Sequence, residues 1–226
     1  MKVTTLVFLA VFAVILGAVI FLPSNPKAAQ SEVPTPQLGK TGAPPGGSSC
    51  LGCHTGNSVN AITQINTLPS VTEYVPGNTY SMGIGIEDPG TGKVRWGFEA
   101  TVLKNSDNTM AGSISGAIDP HTTVQSFGGI TYIMHTTNGI SSPSTPPNPA
   151  DGTWWGEADG PVAWIFQWTA PPQGAGTVTF YAGTVAADGD GTSSGDNAYT
   201  PTLTLTEGAP SPVTNTTWGK IKKQYH

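Results

Sequence analysis

The sequence predicts an all-β protein with the architecture of an immunoglobulin-like antiparallel β-sandwich. Its 226 residues include 29 Gly and 20 Pro but only 10% charged residues, a composition rich in turn formers. Apolar residues alternate with polar or small residues over several short runs, as in strands that bury one face. Clusters of Gly, Pro, Asn and Asp separate these runs and supply the turns. We expect about seven to nine strands, the number found in such sandwiches.

The strands are expected from about residue 62 onward. The clearest alternation lies in Tyr80–Ile86, Val94–Val102, Val162–Trp168, Val178–Ala182 and Leu203–Leu205. Residues 138–161 are rich in Pro, Ser and Gly and contain Trp154-Trp155, so they are expected to form a long loop.

The N-terminus has the features of an export signal. Lys2 precedes an apolar run from Leu6 to Leu22. The run is long enough to remain as an N-terminal anchor helix, and Lys27 makes Ala29 a poor cleavage site, so cleavage and retention are both open. Either outcome places the domain outside the cytoplasm, in the periplasm, at the cell surface or secreted.

These features divide the chain into four parts. Residues 1–29 form the signal peptide or membrane anchor, 30–49 a Pro-, Gly- and Ser-rich linker, 50–206 the sandwich, and 207–226 a linker with a basic tail. The net charge of −5 argues against nucleic acid as a partner.

The motif Cys50-Leu-Gly-Cys53-His54 is the attachment signature of a c-type haem. Two thiols two residues apart can form thioethers to the haem vinyl groups, and the next imidazole then becomes the proximal iron ligand. A redox disulfide between Cys50 and Cys53 is an alternative, but the flanking residues indicate a loop rather than a βαβ unit. Tetrahedral zinc is disfavoured because the chain has no second cysteine pair.

The second axial ligand has several candidates. Met134 and His135 lie in the strand-like run Ile130–Thr136, where successive side chains point to opposite faces. Met134 shares its face with Ile130 and Tyr132 and is expected in the core, which directs His135 to the other face. His135 is therefore the preferred distal ligand, with Met134 as the alternative and an open position as a third possibility. His121 follows Asp119-Pro120 and is expected in a turn, and Met82 is expected in the core.

A weaker signal is Asp188-Gly-Asp190-Gly-Thr192, followed by Asp196. Oxygen ligands at alternate positions resemble the first part of a calcium loop, but Tyr199 stands where the loop requires Glu. A plain β-turn is preferred to calcium here.

Several stretches together resemble one family. They are Thr41–Pro44 before the Cys50–His54 motif, Tyr132–Thr136, Phe166–Pro171, Gly176–Tyr181 and Gly195–Thr200. The chain resembles, over about residues 39–206, the bacterial reelin-like (Reeler, or choice-of-anchor type) β-sandwich proteins that carry a c-type haem motif near their start. The resemblance implies an exported sandwich with haem docked against it, often tethered to the cell surface.

The sequence therefore predicts an exported monohaem c-type cytochrome. Haem c would be held by Cys50, Cys53 and His54, with His135 distal, and would pass electrons to a redox partner protein or an extracellular acceptor. An electron carrier is preferred to an enzyme. Two alternatives stay open: a cell-surface adhesion or carbohydrate-binding module, and a haem sensor or enzyme with an open sixth position.

Overall fold

The structure, a computed structural model, describes residues 37–116, 122–135, 154–155 and 158–209. Twelve strands and one 3-10 turn, Cys50–Gly52, lie in these residues. The predicted all-β fold class is confirmed, with more strands than expected because several have only two or three residues. The strands are β1 (Ile62–Leu68), β2 (Glu73–Tyr74), β3 (Thr79–Glu87), β4 (Arg95–Lys104), β5 (Ser113–Ser115), β6 (Thr122–Phe127), β7 (Ile130–His135), β8 (Trp154–Trp155), β9 (Val162–Thr169), β10 (Val178–Ala187), β11 (Asn197–Tyr199) and β12 (Thr202–Glu207).

The strands form two sheets. The smaller sheet has the order β1-β3-β9-β5, and the larger follows β2-β12-β10-β4-β7-β6. Strand β11 pairs with β10, and β8 pairs with β4. The pairing is antiparallel throughout except between β12 and β2.

The core lies between the two sheets and uses the alternating positions that the sequence predicts. From the smaller sheet, Met82 and Trp164 are fully buried, and from the larger sheet Phe180 is almost fully buried. The Phe98 and Trp164 rings join the two layers, with centroids 4.7 Å apart. The expectation that Met82 fills the core is confirmed.

The central strand β4 departs from simple alternation because both of its faces are buried. Every residue from Arg95 to Leu103 is buried, although only alternate ones belong to the core. The other residues lie on the side of the larger sheet that faces away from the core. We call this side the outer face; it carries Gly97 and Glu99 of β4 and Gly183 and Val185 of β10, which pair as Gly97–Val185 and Glu99–Gly183.

Residues 39–49, expected as part of a linker, instead pack on the outer face. The Glu99 carboxylate accepts hydrogen bonds from the backbone amides of Gly39, at 2.9 Å, and Lys40, at 2.6 Å. Thr41 is only 2% exposed and bridges to Ser49. The last residues of the predicted linker thus form a hydrogen-bonded loop on the larger sheet.

Four predictions fall on residues outside the described ranges. They are the N-terminal signal or anchor helix, the turn at His121, most of the long loop at 138–161, and the basic tail. Within 37–116, 122–135, 154–155 and 158–209, no helix is long and apolar enough to span a membrane.

Candidate functional site

The Cys50–His54 motif forms one closed helical turn. The backbone amides of Cys53 and His54 both donate to the carbonyl oxygen of Cys50, at 3.1 and 2.9 Å, and Gly52 N donates to Ser49 O at 3.0 Å. The sequence indicated a loop, and the flanks are indeed loop, but the motif itself is helical. Cys50, Cys53 and His54 therefore belong to one turn of the backbone.

His54 is held by a buried carboxylate. Its Nδ1 lies 2.7 Å from Oδ2 of Asp196, which is 2% exposed. The backbone amide of Asp188 donates to the other Asp196 oxygen at 3.1 Å, which fixes the carboxylate. With Nδ1–H donating to Asp196, the lone pair of the imidazole lies on Nε2, which has no hydrogen-bond partner among the described residues.

The chain after His54 is attached to the edge of β11. Gly56 N donates to Asp196 O at 3.0 Å, and Ala198 N donates to Gly56 O at 2.9 Å. A side chain at residue 56 would meet the Asp196 carbonyl and the Asn197 side chain, so only glycine permits this approach. The turn is thus held at both ends, by Gly56 on β11 and by residues 39–40 on Glu99.

The two cysteines have different surroundings. Both are free thiols, and Cys53 is exposed. Cys50 Sγ donates a weak hydrogen bond to the Lys40 carbonyl, at 3.6 Å, and rests on Gly183 of β10. Burial, with a smaller contribution from the negative charge of Glu99, raises the pKa of the Cys50 thiol from its ordinary value of 9.0 to about 12.

Glu99 is a site residue that the sequence analysis did not identify. It is fully buried on the outer face, and burial raises its pKa despite the two amide hydrogen bonds that favour the charged form. Its own negative charge also raises the pKa of Tyr132, after the larger effect of burial. The signal available in the sequence was a carboxylate in the apolar run Trp96–Leu103, a position that is costly unless its oxygens are bonded.

The side of β7 on which Met134 lies differs from the prediction. Ile133 belongs to the core, whereas Met134 pairs with Glu99 and so lies, fully buried, on the outer face. Met134 is therefore buried as expected, but on the outer face and not between the two sheets. The reason is that residues 39–49 cover the outer face, so apolar side chains are buried on both sides of β7.

His135 lies at the edge of β4. Strand β7 pairs with Glu99 and Ala100, and β8 pairs with Arg95 and Trp96, which leaves Gly97 and Phe98 between them. His135 Nδ1 fills this gap, 3.0 Å from both the backbone N and the backbone O of Phe98. Its Cε1 lies 2.8 Å from the position that a Cβ on Gly97 would take, so the ring lies at the edge of β4 beside Gly97.

Asp188, Asp190 and Asp196, the candidate calcium ligands, do not form a metal-binding group in the described part of the chain. Asp188 Oδ1 accepts from Asp190 N at 3.0 Å, and Asp190 Oδ1 accepts from the backbone and hydroxyl of Thr192 at 2.7 Å. Asp196 points to His54 instead. The segment is a series of Asx turns, the plain-turn alternative, and calcium is not retained.

Comparison with known proteins gives structural likeness only. No family model and no curated protein matches the chain. The human F-spondin reeler domain is similar, with TM-score 0.43 and 17% identity over 65% of this chain and 88% of that one. A cohesin module from a Clostridium perfringens family 33 glycoside hydrolase has TM-score 0.36 and 16% identity over 66% and 97% of the two chains. The Corynebacterium diphtheriae major pilin SpaD has TM-score 0.35 and 10% identity over 62% and 34%.

The classification of the chain among cytochromes and metal-binding proteins is wrong. In the part of the chain that the structure describes, no group of three or more His, Cys, Asp or Glu could hold a metal ion. Covalent attachment of haem stays a prediction, since it needs two thiols and an imidazole rather than such a group.

Proposed function

We propose that this chain is an extracytoplasmic β-sandwich that holds one covalently attached haem c. Cys50 and Cys53 would form the two thioethers, and His54 would be the proximal ligand. The observation that carries the proposal is the 2.7 Å contact between His54 Nδ1 and the buried Asp196 carboxylate.

This contact is the arrangement expected of a metal-ligating histidine. Such a histidine donates its second ring N–H to a carboxylate or carbonyl, which fixes the tautomer and the ring orientation and strengthens the ligand. Asp196 does this for His54 and is itself held by Asp188 N. A histidine that merely capped the turn would not need a buried carboxylate to direct Nε2 outward.

The geometry of the turn supports the same proposal. Two thiols and an imidazole that project from one helical turn suit a rigid porphyrin attached at two vinyl groups and at the iron. Cys53 and His54 are accessible for this, while Cys50 is covered by Lys40 and Gly183. Haem would supply the redox chemistry. The chain's own residues orient His54 and keep water from the sulfur of Cys50.

We propose His135 as the distal ligand. Its Nδ1 lies 3.0 Å from the carbonyl oxygen of Phe98, which holds the ring at the edge of β4. The backbone amide of Phe98 lies at the same distance from Nδ1, so the ring contacts both backbone polar groups of this residue. Two imidazole ligands give a lower reduction potential than an imidazole and a thioether.

The test is covalent haem in the full chain, expressed with a c-type haem-attachment system. Haem that stays with the polypeptide on a denaturing gel, and that gives a c-type pyridine haemochrome spectrum, supports the proposal. Cys53→Ser should lower the covalent haem, whereas Ser58→Ala, a matched change beyond the turn, should not. A wild-type chain without covalent haem, and with an intramolecular disulfide, refutes it.

A second candidate function is a cell-surface binding module. The observation in its favour is the β6–β7 hairpin, where Phe127 is 69% exposed and Val124 is 36% exposed on the last strand of the larger sheet. The reeler, cohesin and pilin descriptions of similar structures fit such a role. Saturable binding of the haem-free chain to a glycan array, abolished by Phe127→Ser, would favour this candidate; absence of binding would remove it.

A further inference from the structure

Asp88 is a fully buried carboxylate that lies directly after strand β3 of the smaller sheet. Its Oδ2 atom accepts two hydrogen bonds, from the side-chain amide of Asn197 and from the hydroxyl of Tyr199, each at 2.8 Å. Its Oδ1 atom has no hydrogen-bond partner within the described part of the chain. A carboxylate is costly to bury, and an unused acceptor adds to that cost, so this residue is expected to have a role besides stability.

Asp88 binds strand β11 from the side that faces the core. Asn197 and Tyr199 flank Ala198, which pairs with Val185 of the outer face. Because successive side chains of a strand point to opposite faces, Asn197 and Tyr199 point to the core side, and Tyr199 packs against the core. The carboxylate therefore joins the smaller sheet to a short strand of the larger one.

The contact between His54 and Asp196 depends on where this strand lies. Asp196 directly precedes Asn197, and its Oδ2 lies 2.7 Å from His54 Nδ1. A shift of about 1 Å at Asn197 would carry Asp196 with it and take this distance beyond the range of about 2.7–3.2 Å that such hydrogen bonds have. By holding Asn197, Asp88 therefore holds the Asp196 end of the contact.

The His54 end of the contact is held through Tyr199. The hydroxyl of Tyr199 donates to Asp88 and accepts a hydrogen bond from the backbone amide of Ser58, at 3.0 Å. Ser58 belongs to the segment that follows His54 and that Gly56 fastens to β11. The same carboxylate thus reaches both ends of the contact, through two different side chains.

Building on the proposed function, we propose that Asp88 is a positioning residue for the proximal ligand His54. It acts through Asn197 and Tyr199 and does not itself contact the imidazole. By fixing β11 it keeps Asp196 within hydrogen-bond distance of Nδ1, and this hydrogen bond sets the tautomer in which Nε2 is the free ligand atom.

The test follows the His54 ring in the full chain expressed without haem attachment. Nitrogen NMR of the neutral imidazole distinguishes a proton on Nδ1 from one on Nε2. We expect the wild type to hold the Nδ1–H tautomer alone and Asp88→Ala to give a mixture of the two. Asp88→Asn should keep the wild-type spectrum, because its amide oxygen can accept the same two hydrogen bonds. The control Thr101→Val, which removes a buried 2.8 Å hydrogen bond to the Thr131 carbonyl elsewhere in the larger sheet, should also keep it.

Tyr199→Phe keeps the proposal testable if Asp88→Ala does not fold. This change removes one hydroxyl and leaves the aromatic ring in place, while the amide of Ser58 loses its acceptor. Hydrogen exchange at the Ser58 amide should become about tenfold faster, the effect of one ordinary hydrogen bond, and the Nε2–H tautomer of His54 should become detectable.

The outcomes separate this inference from the proposed function. A wild-type chain without covalent haem overturns the proposed function, whereas the NMR comparison needs no haem. A single Nδ1–H tautomer in Asp88→Ala overturns the role of Asp88, and so does a mixture in Asp88→Asn or in Thr101→Val. Unchanged exchange of the Ser58 amide in Tyr199→Phe overturns it as well.

Discussion

The thiol of Cys50 should react far more slowly than that of Cys53 in the folded, haem-free chain. Only the thiolate is nucleophilic, and burial together with Glu99 raises the Cys50 pKa from 9.0 to about 12. At pH 8 this lowers the thiolate fraction about 1000-fold, while the greater basicity of the sulfur recovers about 20-fold in intrinsic nucleophilicity. The expected result is alkylation about 50-fold slower than for an ordinary thiol, before any steric effect of Gly183 is counted.

The assay is timed alkylation of the chain expressed without haem attachment, followed by peptide mass spectrometry of the two cysteines. The Cys50 rate should rise with pH up to its pKa, and Glu99→Gln should increase it because one cause of the raised pKa is removed. In urea, the two cysteines should react at similar rates. Equal rates in the folded chain would refute the reasoning.

The prediction has a consequence for assembly. If the folded sandwich covers Cys50, its thioether to haem must form before residues 39–50 settle on the outer face. Haem supplied to the prefolded chain should then attach at Cys53 alone.

Three further predictions concern carboxylates, two around this site and one away from it. If the chain carries haem, Asp196→Asn should raise its midpoint potential by about 60 mV, a tenfold change in the one-electron equilibrium, because the negative charge that it removes stabilises ferric iron. Spectroelectrochemistry measures the potential, and Asp190→Asn, at an exposed position, is the control. Because burial raises the folded-state pKa of Glu99, its contribution to stability is present at low pH and is lost as pH rises through that pKa. Urea unfolding should therefore show the wild type losing stability relative to Glu99→Gln as the pH rises above 4.5, the ordinary pKa of the side chain. The stability contribution of Glu207 depends on pH in the opposite direction, because hydrogen bonds from the backbone amides of Gly174 and Gly176 lower its pKa. This contribution is present above the ordinary pKa of the side chain and is lost in acid, so Glu207→Gln should reduce the loss of stability at low pH. An acid limb identical in the wild type and this variant would count against that assignment.

The sequence alone determined the fold class and the core. Alternation in β3, β4, β9 and β10 identified the residues that meet between the sheets, because a strand with one buried face must repeat every two residues. The sequence also located the Cys50–His54 motif, because its chemistry depends on spacing along the chain and on nothing distant.

Only the tertiary structure decided what surrounds that motif. Asp196 lies 142 residues from His54 along the chain, and Glu99 lies about 60 from the amides it binds. No local pattern encodes such contacts; they follow from how β11 and β4 are placed in the larger sheet. Likewise, the orientation of Met134 depends on residues 39–49 covering the outer face. Alternation of apolar and polar residues identifies the core-facing side of a strand only when the other side is polar. When both sides are buried, both carry apolar residues, and the sequence no longer shows which side faces the core.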